Sequence, residues 1–165
     1  DRGEEESWPA YFISQGSWRG AEAGDRLLVG FKADNTFEVS FYDGQALVTH
    51  KSWTGDRGQW HHWAITFDKD SMERMVYRDG VLVGSDLALT QLNADTGLQL
   101  GYMYQHPDLG RDLFFKGQID ELRLWETVLE VDTIRRYASL TSAWVTDFHP
   151  NVAYLLAYFD FNEGS

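Results

Sequence analysis

The stretch Gly117-Gln118-Ile119-Asp120-Glu121-Leu122-Arg123-Leu124-Trp125-Glu126 alternates as a β-strand does, with Leu122, Leu124 and the acid Asp120 on one face. The segment directly behind it changes to a helical period, with apolar residues at positions 131, 134, 137 and 138. This spacing predicts a short helix over about Leu129 to Leu140. An acidic strand that runs into one short helix is therefore the feature from which the fold prediction starts.

The rest of the chain is patterned as short strands. Runs rich in β-branched, aromatic or alternating apolar residues predict strands at Ala10–Ser14, Leu27–Lys32, Thr36–Tyr42, Gln45–His50, Trp60–Asp68, Glu73–Arg78, Val81–Asp86, Gly97–Tyr102, Lys116–Trp125 and Tyr154–Phe161. The dipeptides Asp43-Gly44 and Asp79-Gly80 each stand between two apolar runs, which indicates tight hairpins. Many short strands joined by tight turns predict an all-β, antiparallel two-sheet sandwich.

Two further blocks precede the opening stretch: Gly58–Asp68, with the sequence GQWHHWAITFD, and Val76–Val83, with the sequence VYRDGVLV. In this order, the three blocks resemble the central strand, the following hairpin and the closing segment of laminin-G-like jelly rolls of the concanavalin A-like lectin/glucanase superfamily. The resemblance implies that residues 1–165 form a single jelly-roll sandwich domain with one short C-terminal helix. That fold is carried by lectins, adhesion modules and enzymes alike, so function has to be argued from the site.

Both ends of the sequence depart from the family's form. Laminin-G-like jelly rolls begin with a further strand ahead of the segment that matches Tyr11–Gly16, and only Asp1–Ser7 precedes that segment here. The stretch Leu155–Ser165 resembles a strand that flanks these domains. We therefore expect residues 1–165 to be part of a larger multidomain protein and to lack the family's first strand, which either lies upstream of Asp1 or comes from another segment.

The composition limits the classes of partner that the protein is expected to bind. The formal net charge of −12 repels nucleic acid and anionic membrane surfaces, and it suits divalent cations. No run of 18 apolar residues is present in the sequence, which argues against membrane insertion. The absence of cysteine rules out disulfides and thiol chemistry. Aromatic residues make up 15% of the chain, and most of them are expected to fill the space between the two sheets.

Asp120 is the first metal candidate, because the strand prediction places it among bulky apolar residues, where an unpaired carboxylate is costly. The resemblance implies that such an acid ligates a structural calcium ion together with an acid or carbonyl near a chain end. Asp160, Asn162 and Glu163 are the residues that could take this second part. Calcium needs six to eight oxygen ligands, so backbone carbonyls would complete the set. In the alternative interpretation, Asp120 bonds to backbone groups at a strand end.

Ligand contacts are predicted in two places. The resemblance implies a rim loop at Gln105–Asp112, with His106 and Asp108 as contact residues, although a solvated polar loop explains the same residues. Trp53 and Tyr104 lie beside loops that contain Gly or Pro, and they are the candidates for stacking on a sugar ring or contacting a protein partner.

Other charged and histidine side chains are predicted to be structural. His61 and His62 are adjacent on a strand, so they point to opposite faces and cannot chelate one ion together. Arg74 and Arg78 share one strand and are expected to lie on solvated faces or in local ion pairs.

No catalytic residue is predicted. Glycoside hydrolysis requires two carboxylates facing each other across the scissile bond. The nearest approach to the laminarinase motif E-x-D-x-x-E is the segment 130–135, but Arg135 takes the third acidic position and the segment is helical. Asp120 and Glu121 point to opposite faces of the predicted strand. The sequence therefore indicates a protein that is not an enzyme, with a glycoside hydrolase as the least favoured alternative.

The function predicted from these features is a non-catalytic binding or adhesion module, secreted or at the cell surface. Its expected partner is a glycan or an extracellular protein, with calcium as cofactor and neighbouring domains of the same polypeptide around it. A second interpretation belongs to another class. In it, the domain is a structural building block that packs against neighbouring domains or copies in an extracellular fibre or surface assembly.

Overall fold

The computed structural model describes residues 9–16, 24–41, 45–94, 96–106, 111–138 and 148–162, although not the side chains of residues 104–106 and 111. The strands are β1 Ala10–Gln15, β2 Leu27–Phe31, β3 Thr36–Ser40, β4 Ala46–Ser52, β5 Trp63–Phe67, β6 Glu73–Arg78, β7 Val81–Leu87, β8 Gln99–Leu100, β9 Tyr102–His106, β10 Arg111–Phe114, β11 Leu122–Trp125 and β12 Leu155–Phe159. The helix α1 spans Val131–Tyr137, and single 3-10 turns lie at Thr54–Asp56 and Val152–Tyr154.

The strands pair antiparallel in sheets that face each other. One sheet has the order β4-β3-β2-β1-β8, a second has the order β5-β6-β7, and β9–β10 and β11–β12 form two-stranded pairs. The two larger sheets share one apolar core, to which both contribute buried or partly buried side chains: Ile13, Val29, Phe31, Phe37, Val39, Leu47, Trp63, Ile65, Phe67 and Val76. This arrangement confirms the predicted all-β two-sheet sandwich.

Aromatic rings form the centre of this core. Phe37 on β3 lies flat against Trp63 on β5, with ring centroids 3.9 Å apart and an interplanar angle of 1°. Phe31 meets both rings edge-on, at 5.3 Å and 5.7 Å. Rings of this size span the gap between two facing sheets, which explains why a sandwich of this size carries so many of them.

A second, smaller cluster lies on the other face of the larger sheet. Leu28 alternates with the core residue Val29 on β2 and therefore points away from the inter-sheet core. It packs with Tyr11 of β1, Met103 of β9 and Leu113 of β10. The β9–β10 hairpin is thus held to the sandwich by its own buried side chains.

Gly30 lets two polar side chains meet on that same outer face. The strand register places it between Tyr11 and Glu38. The Tyr11 hydroxyl donates to the Glu38 carboxylate at 3.2 Å. A Cβ at Gly30 would lie 2.4 Å from the carbonyl oxygen of Ala10, so a larger residue does not fit there. Burial raises the pKa of the Glu38 carboxyl above its usual value.

The helix α1 confirms the predicted helical segment, and it packs against the β6–β7 hairpin. Ile134 and Tyr137 are its buried residues. Gly80, in the hairpin turn with φ of 76°, is so close to the helix that a Cβ would lie 2.7 Å from the Cα of Arg135. Within the described ranges, no helix has the length and apolarity needed to cross a membrane.

The predicted strand at 97–102 and the predicted loop at 105–112 are wrong in detail. Gly101, with φ of 69°, breaks the strand after β8. The backbone then continues as β9 to residue 106 and pairs with β10, so strands occupy positions 105, 106, 111 and 112 of the predicted loop, and residues 107–110 lie outside the described residues. Polar residues obscure the alternation in these two strands, where Met103 and Leu113 mark the buried face among the described side chains.

Two other strands, β5 and β11, begin later than the sequence predicts. Trp60, His61 and His62 precede β5, which begins at Trp63. In the same way, β11 begins at Leu122 rather than near residue 116, because Glu121 has φ of 55° and interrupts the extended backbone. Asp120 is exposed and lies before the strand, so the prediction of a carboxylate in mid-strand among apolar residues is wrong.

Candidate functional site

Trp53 belongs to the core rather than to a ligand-binding loop. Its side chain is 7% exposed and joins the inter-sheet cluster. The indole meets Trp63 edge-on at 5.5 Å, and its Nε1 donates to the Thr49 hydroxyl at 3.1 Å. A ring enclosed in this way has no free face for a sugar, because the large apolar indole is more stable in the core than at the rim. The structure therefore corrects the expectation for this residue.

A network of polar side chains closes the sandwich beside Trp53. The Arg78 guanidinium lies 4.6 Å from the centre of the Trp53 ring, and its Nη2 contacts Asp56 Oδ1 at 2.7 Å. The same Nη2 lies 2.8 Å from His61 Nε2, and His61 Nδ1 lies 2.9 Å from Asp79 Oδ2. These groups bond to one another, so the network fixes this end of the fold.

The other end of strand β6 carries a second ion pair, which is buried deeper. Arg74 is fully buried and meets Asp86 with two bonds, Nε to Oδ1 at 2.9 Å and Nη2 to Oδ2 at 2.7 Å. Gln45 donates its side-chain amide to Asp86 at 3.0 Å, and Phe41 lies under the guanidinium at 4.7 Å. The expectation of local ion pairs on this strand is confirmed, whereas a solvated face is wrong for Arg74.

The side chain of His62 has a different environment from that of its neighbour His61. Its backbone N–H donates to Asp79 Oδ1 at 3.0 Å. Burial, together with the positive charge of Arg123, lowers the pKa of the His62 imidazole from 6.5 to about 4. The neutral form is therefore the one that the fold accommodates.

This shift makes stability depend on pH in a defined window. Between pH 6.5 and about 4 the unfolded chain binds a proton at this position and the folded chain does not, so stability falls as the pH falls. We expect His62→Gln to reduce that loss, as measured by urea denaturation at half-unit pH steps. Because the raised pKa of Glu38 acts with the opposite sign, the quantity to compare is the difference between variant and wild type. Parallel curves for the two proteins would contradict this assignment.

Strand pairing brings the predicted metal residues to one end of β11–β12. Leu122 pairs with Phe159, so Asp120 and Asp160 flank the same end of the pair. Asp120 Oδ1 accepts the backbone N–H of Glu121 at 2.8 Å, which is the contact that the alternative interpretation predicts. Glu163 lies outside the described residues.

The described residues supply only part of a calcium ligand set. Asn162 follows Asp160 and donates its backbone N–H to that carboxylate at 3.5 Å. In the part of the chain that the structure describes, no three His, Asp or Glu side chains come together to hold a metal ion. Backbone carbonyls or water would therefore have to provide most of the six to eight oxygens.

Glu121 is better connected than its place in the sequence suggests. Its Oε2 accepts from Arg123 Nη2 at 2.6 Å and from the Tyr158 hydroxyl at 2.7 Å. Sequence reasoning did not find this cluster. The available signal was the spacing Glu-x-Arg, but the partner Tyr158 comes from β12, and its register with Arg123 is visible only in the fold.

The outer face of the β9–β10 hairpin combines aromatic and acidic groups. Tyr102 pairs across the ladder with Phe114, and their ring centroids are 5.2 Å apart. The Tyr102 hydroxyl donates to Asp112 Oδ2 at 3.1 Å, and Phe114 is 61% exposed. Tyr104 and His106 lie on β9 with undescribed side chains, and Asp108 lies outside the described residues. These three predicted contacts therefore stay predictions.

Comparison with known proteins places this geometry in a family. A laminin G-type family model, described as Concanavalin A-like lectin/glucanases superfamily, matches residues 2–135. The chain is 32% identical over 118 residues to the Sushi, von Willebrand factor type A, EGF and pentraxin domain-containing protein 1 of Rattus norvegicus. The alignment covers 64% of this chain and 3% of that relative, so the chain spans a small fraction of the relative's length.

Solved structures share the fold at low sequence identity. A candidate carbohydrate binding protein from Bacteroides ovatus has a TM-score of 0.63 at 16% identity, over 94% of this chain and 46% of that one. The native heptameric SAP-like pentraxin from Limulus polyphemus has a TM-score of 0.60 at 14% identity, over 96% of this chain and 75% of that one. Because the family model covers most of the sequence, the protein belongs to the laminin-G-like family of the concanavalin A-like lectin/glucanases superfamily.

Proposed function

We propose that this protein is a non-catalytic, extracellular recognition module whose ligand is a glycan. The observation that carries the proposal is that three acidic side chains are held in ion pairs within the fold. Asp56, Asp86 and Glu121 each bond to an arginine of the fold, at 2.7, 2.7 and 2.6 Å. A glycoside hydrolase instead needs an acid and a base or nucleophile roughly 5–10 Å apart and facing the substrate. Because arginines of the fold hold these carboxylates, the ion pairs support a non-catalytic role.

The glycan ligand is supported by the relatives. The Bacteroides ovatus protein that shares the fold carries carbohydrate binding in its name, and the rat relative contains a pentraxin domain. Fold likeness alone does not carry a ligand from one protein to another, since one fold supports many sites. The exposed aromatic and acidic side chains of this chain supply the chemistry that a sugar would use.

A second candidate function, the structural building block, is favoured by a specific surface. Phe159 at the end of β12 and Phe161 beyond it are 44% and 45% exposed and stack with ring centroids 6.1 Å apart, and Leu156 of the same strand is 63% exposed. We call these three residues the β12 strip. An apolar strip of this kind would be covered if the domain packed against a neighbouring domain or a second copy.

One set of measurements separates these functions. We expect the protein to bind selected sugars on a glycan array, to run as a monomer in size-exclusion chromatography with light scattering, and to release no reducing sugar from laminarin, agarose, carrageenan or xylan. A building block would assemble and select no sugar. Turnover that disappears in Asp120→Asn or Glu121→Gln would instead show an enzyme and overturn the proposal.

Calcium is the proposed support of the end of β11–β12 that carries Asp120. A ligand that binds only the folded state stabilises it by about 2.7 kcal/mol at a hundredfold excess over its dissociation constant. We therefore expect millimolar calcium to raise the melting temperature, EDTA to lower it, and Asp120→Ala to abolish the difference. Melting curves of the wild type that superimpose in calcium and EDTA would leave Asp120 with its backbone contact alone.

A further inference from the structure

The face formed by Tyr102, Asp112 and Phe114, which we call the hairpin platform, has the two surfaces that a pyranose ring requires. A sugar presents an apolar face of C–H groups and a rim of hydroxyls. Phe114 offers an exposed ring, and Tyr102 supports it from the neighbouring strand at 5.2 Å. Asp112 stands beside the rings and accepts the Tyr102 hydroxyl at 3.1 Å.

The platform is held in place from below. Met103 and Leu113 alternate with its residues on the two strands and are 1% and 5% exposed. The Ser14 hydroxyl donates to the carbonyl oxygen of Tyr102 at 2.7 Å, which ties β9 to β1. A binding surface that is already ordered loses less entropy when a ligand arrives, so a shallow site of this size can still bind.

We propose that the hairpin platform binds one pyranose residue of a glycan, an inference that rests on the proposed glycan-binding function. The sugar's C–H face stacks on Phe114, and a sugar hydroxyl donates to Asp112. A carboxylate has about four acceptor positions, so the bond from Tyr102 does not exclude a further bond from a sugar hydroxyl.

Charge selects which glycan fits. The chain has a net charge of −12, and the platform itself contains a carboxylate. Sulfated and uronic acid-containing polysaccharides are repelled by such a field, whereas neutral sugars are not. The occupant is therefore a neutral pyranose residue, and binding does not require calcium, because the proposed contacts come from side chains alone.

The experiment is a titration of the array-selected neutral oligosaccharide by isothermal calorimetry, in EDTA. We expect Phe114→Ala to weaken binding about tenfold or more, because it removes the stacking ring. Phe114→Trp should retain binding, and Asp112→Asn should weaken it several-fold. Trp60→Ala is the matched control, because Trp60 is an aromatic residue outside the hairpin with 56% exposure, similar to that of Phe114, and its removal should leave the affinity unchanged.

The outcomes separate the two proposals. If the wild type binds no glycan, the proposed function fails, and the platform fails with it. If the wild type binds and Phe114→Ala binds equally well, the function stands and the platform is wrong. Loss of affinity in Trp60→Ala alone would place the sugar at a different surface. A melting temperature of Phe114→Ala close to that of the wild type shows that the variant is folded.

Discussion

Replacing Arg74 with alanine is expected to lower the free energy of unfolding by about 3–5 kcal/mol, because it leaves the charge of Asp86 without its buried partner. The Arg74 side chain is fully buried and makes two bonds to Asp86, at 2.9 and 2.7 Å. A domain of this size has a total stability of roughly 5–15 kcal/mol, so the variant should be close to unfolding. Urea denaturation followed by tryptophan fluorescence measures the change.

Two further variants test whether the loss of stability is specific to the buried ion pair. Arg135→Ala removes an exposed ion pair with Asp132, one helical turn away, and should change stability by at most about 0.5 kcal/mol. The double variant Arg74→Met with Asp86→Leu replaces the pair by apolar side chains and should recover much of the loss. If Arg74→Ala and Arg135→Ala were equally mild, the buried pair would not stabilise the sandwich.

The buried arginine also shows what sequence patterns leave open. Alternation on Glu73–Arg78 predicts the strand correctly, and it puts Arg74 and Arg78 on one face with Val76. It does not say whether that face is the core, because a strand with two arginines is normally solvent-exposed. The answer depends on Asp86 and Asp56, which come from other elements and meet the arginines only in the folded chain.

Local backbone geometry also limits how well the strands can be predicted from the sequence. Most of the predicted strands are present, and the hairpin predicted at Asp79-Gly80 joins β6 to β7. The positive φ values of Gly101 and Glu121 break two predicted strands, and the second of these lies at a residue type that rarely adopts this conformation. Asp120 was therefore placed in a strand that begins only at Leu122.

Candidate site residues were harder to predict than the fold. Trp53 stands in a segment that looks like a loop, but its indole is long enough to reach the core. Phe114 has the opposite character, since it belongs to strand β10, as its last residue, and is exposed. Whether an aromatic residue is core or surface depends on which strand face is covered, and an alternating pattern of aromatic and polar residues does not settle this.

The variants Phe37→Ala and Phe114→Ala test whether each aromatic ring belongs to the core or to the surface. The same substitution should lower stability strongly at position 37 and hardly at all at position 114. Phe37 is fully buried and lies flat against Trp63 at 3.9 Å, so its loss leaves a cavity in the aromatic centre of the core. We expect the free energy of unfolding to fall by about 3–5 kcal/mol. Phe114→Ala removes an exposed ring and should change stability by at most about 0.5 kcal/mol.

The pair of variants also separates stability from binding. At a temperature and urea concentration where both proteins are folded, Phe37→Ala should bind glycan with the affinity of the wild type, because the ring lies between the sheets and away from the hairpin platform. Phe114→Ala should be as stable as the wild type and bind weakly. Denaturation curves and calorimetric titrations on the same samples measure both quantities. Equal stability losses in the two variants would mean that Phe114 packs in the fold, and its exposed ring could then not be the surface on which a sugar stacks.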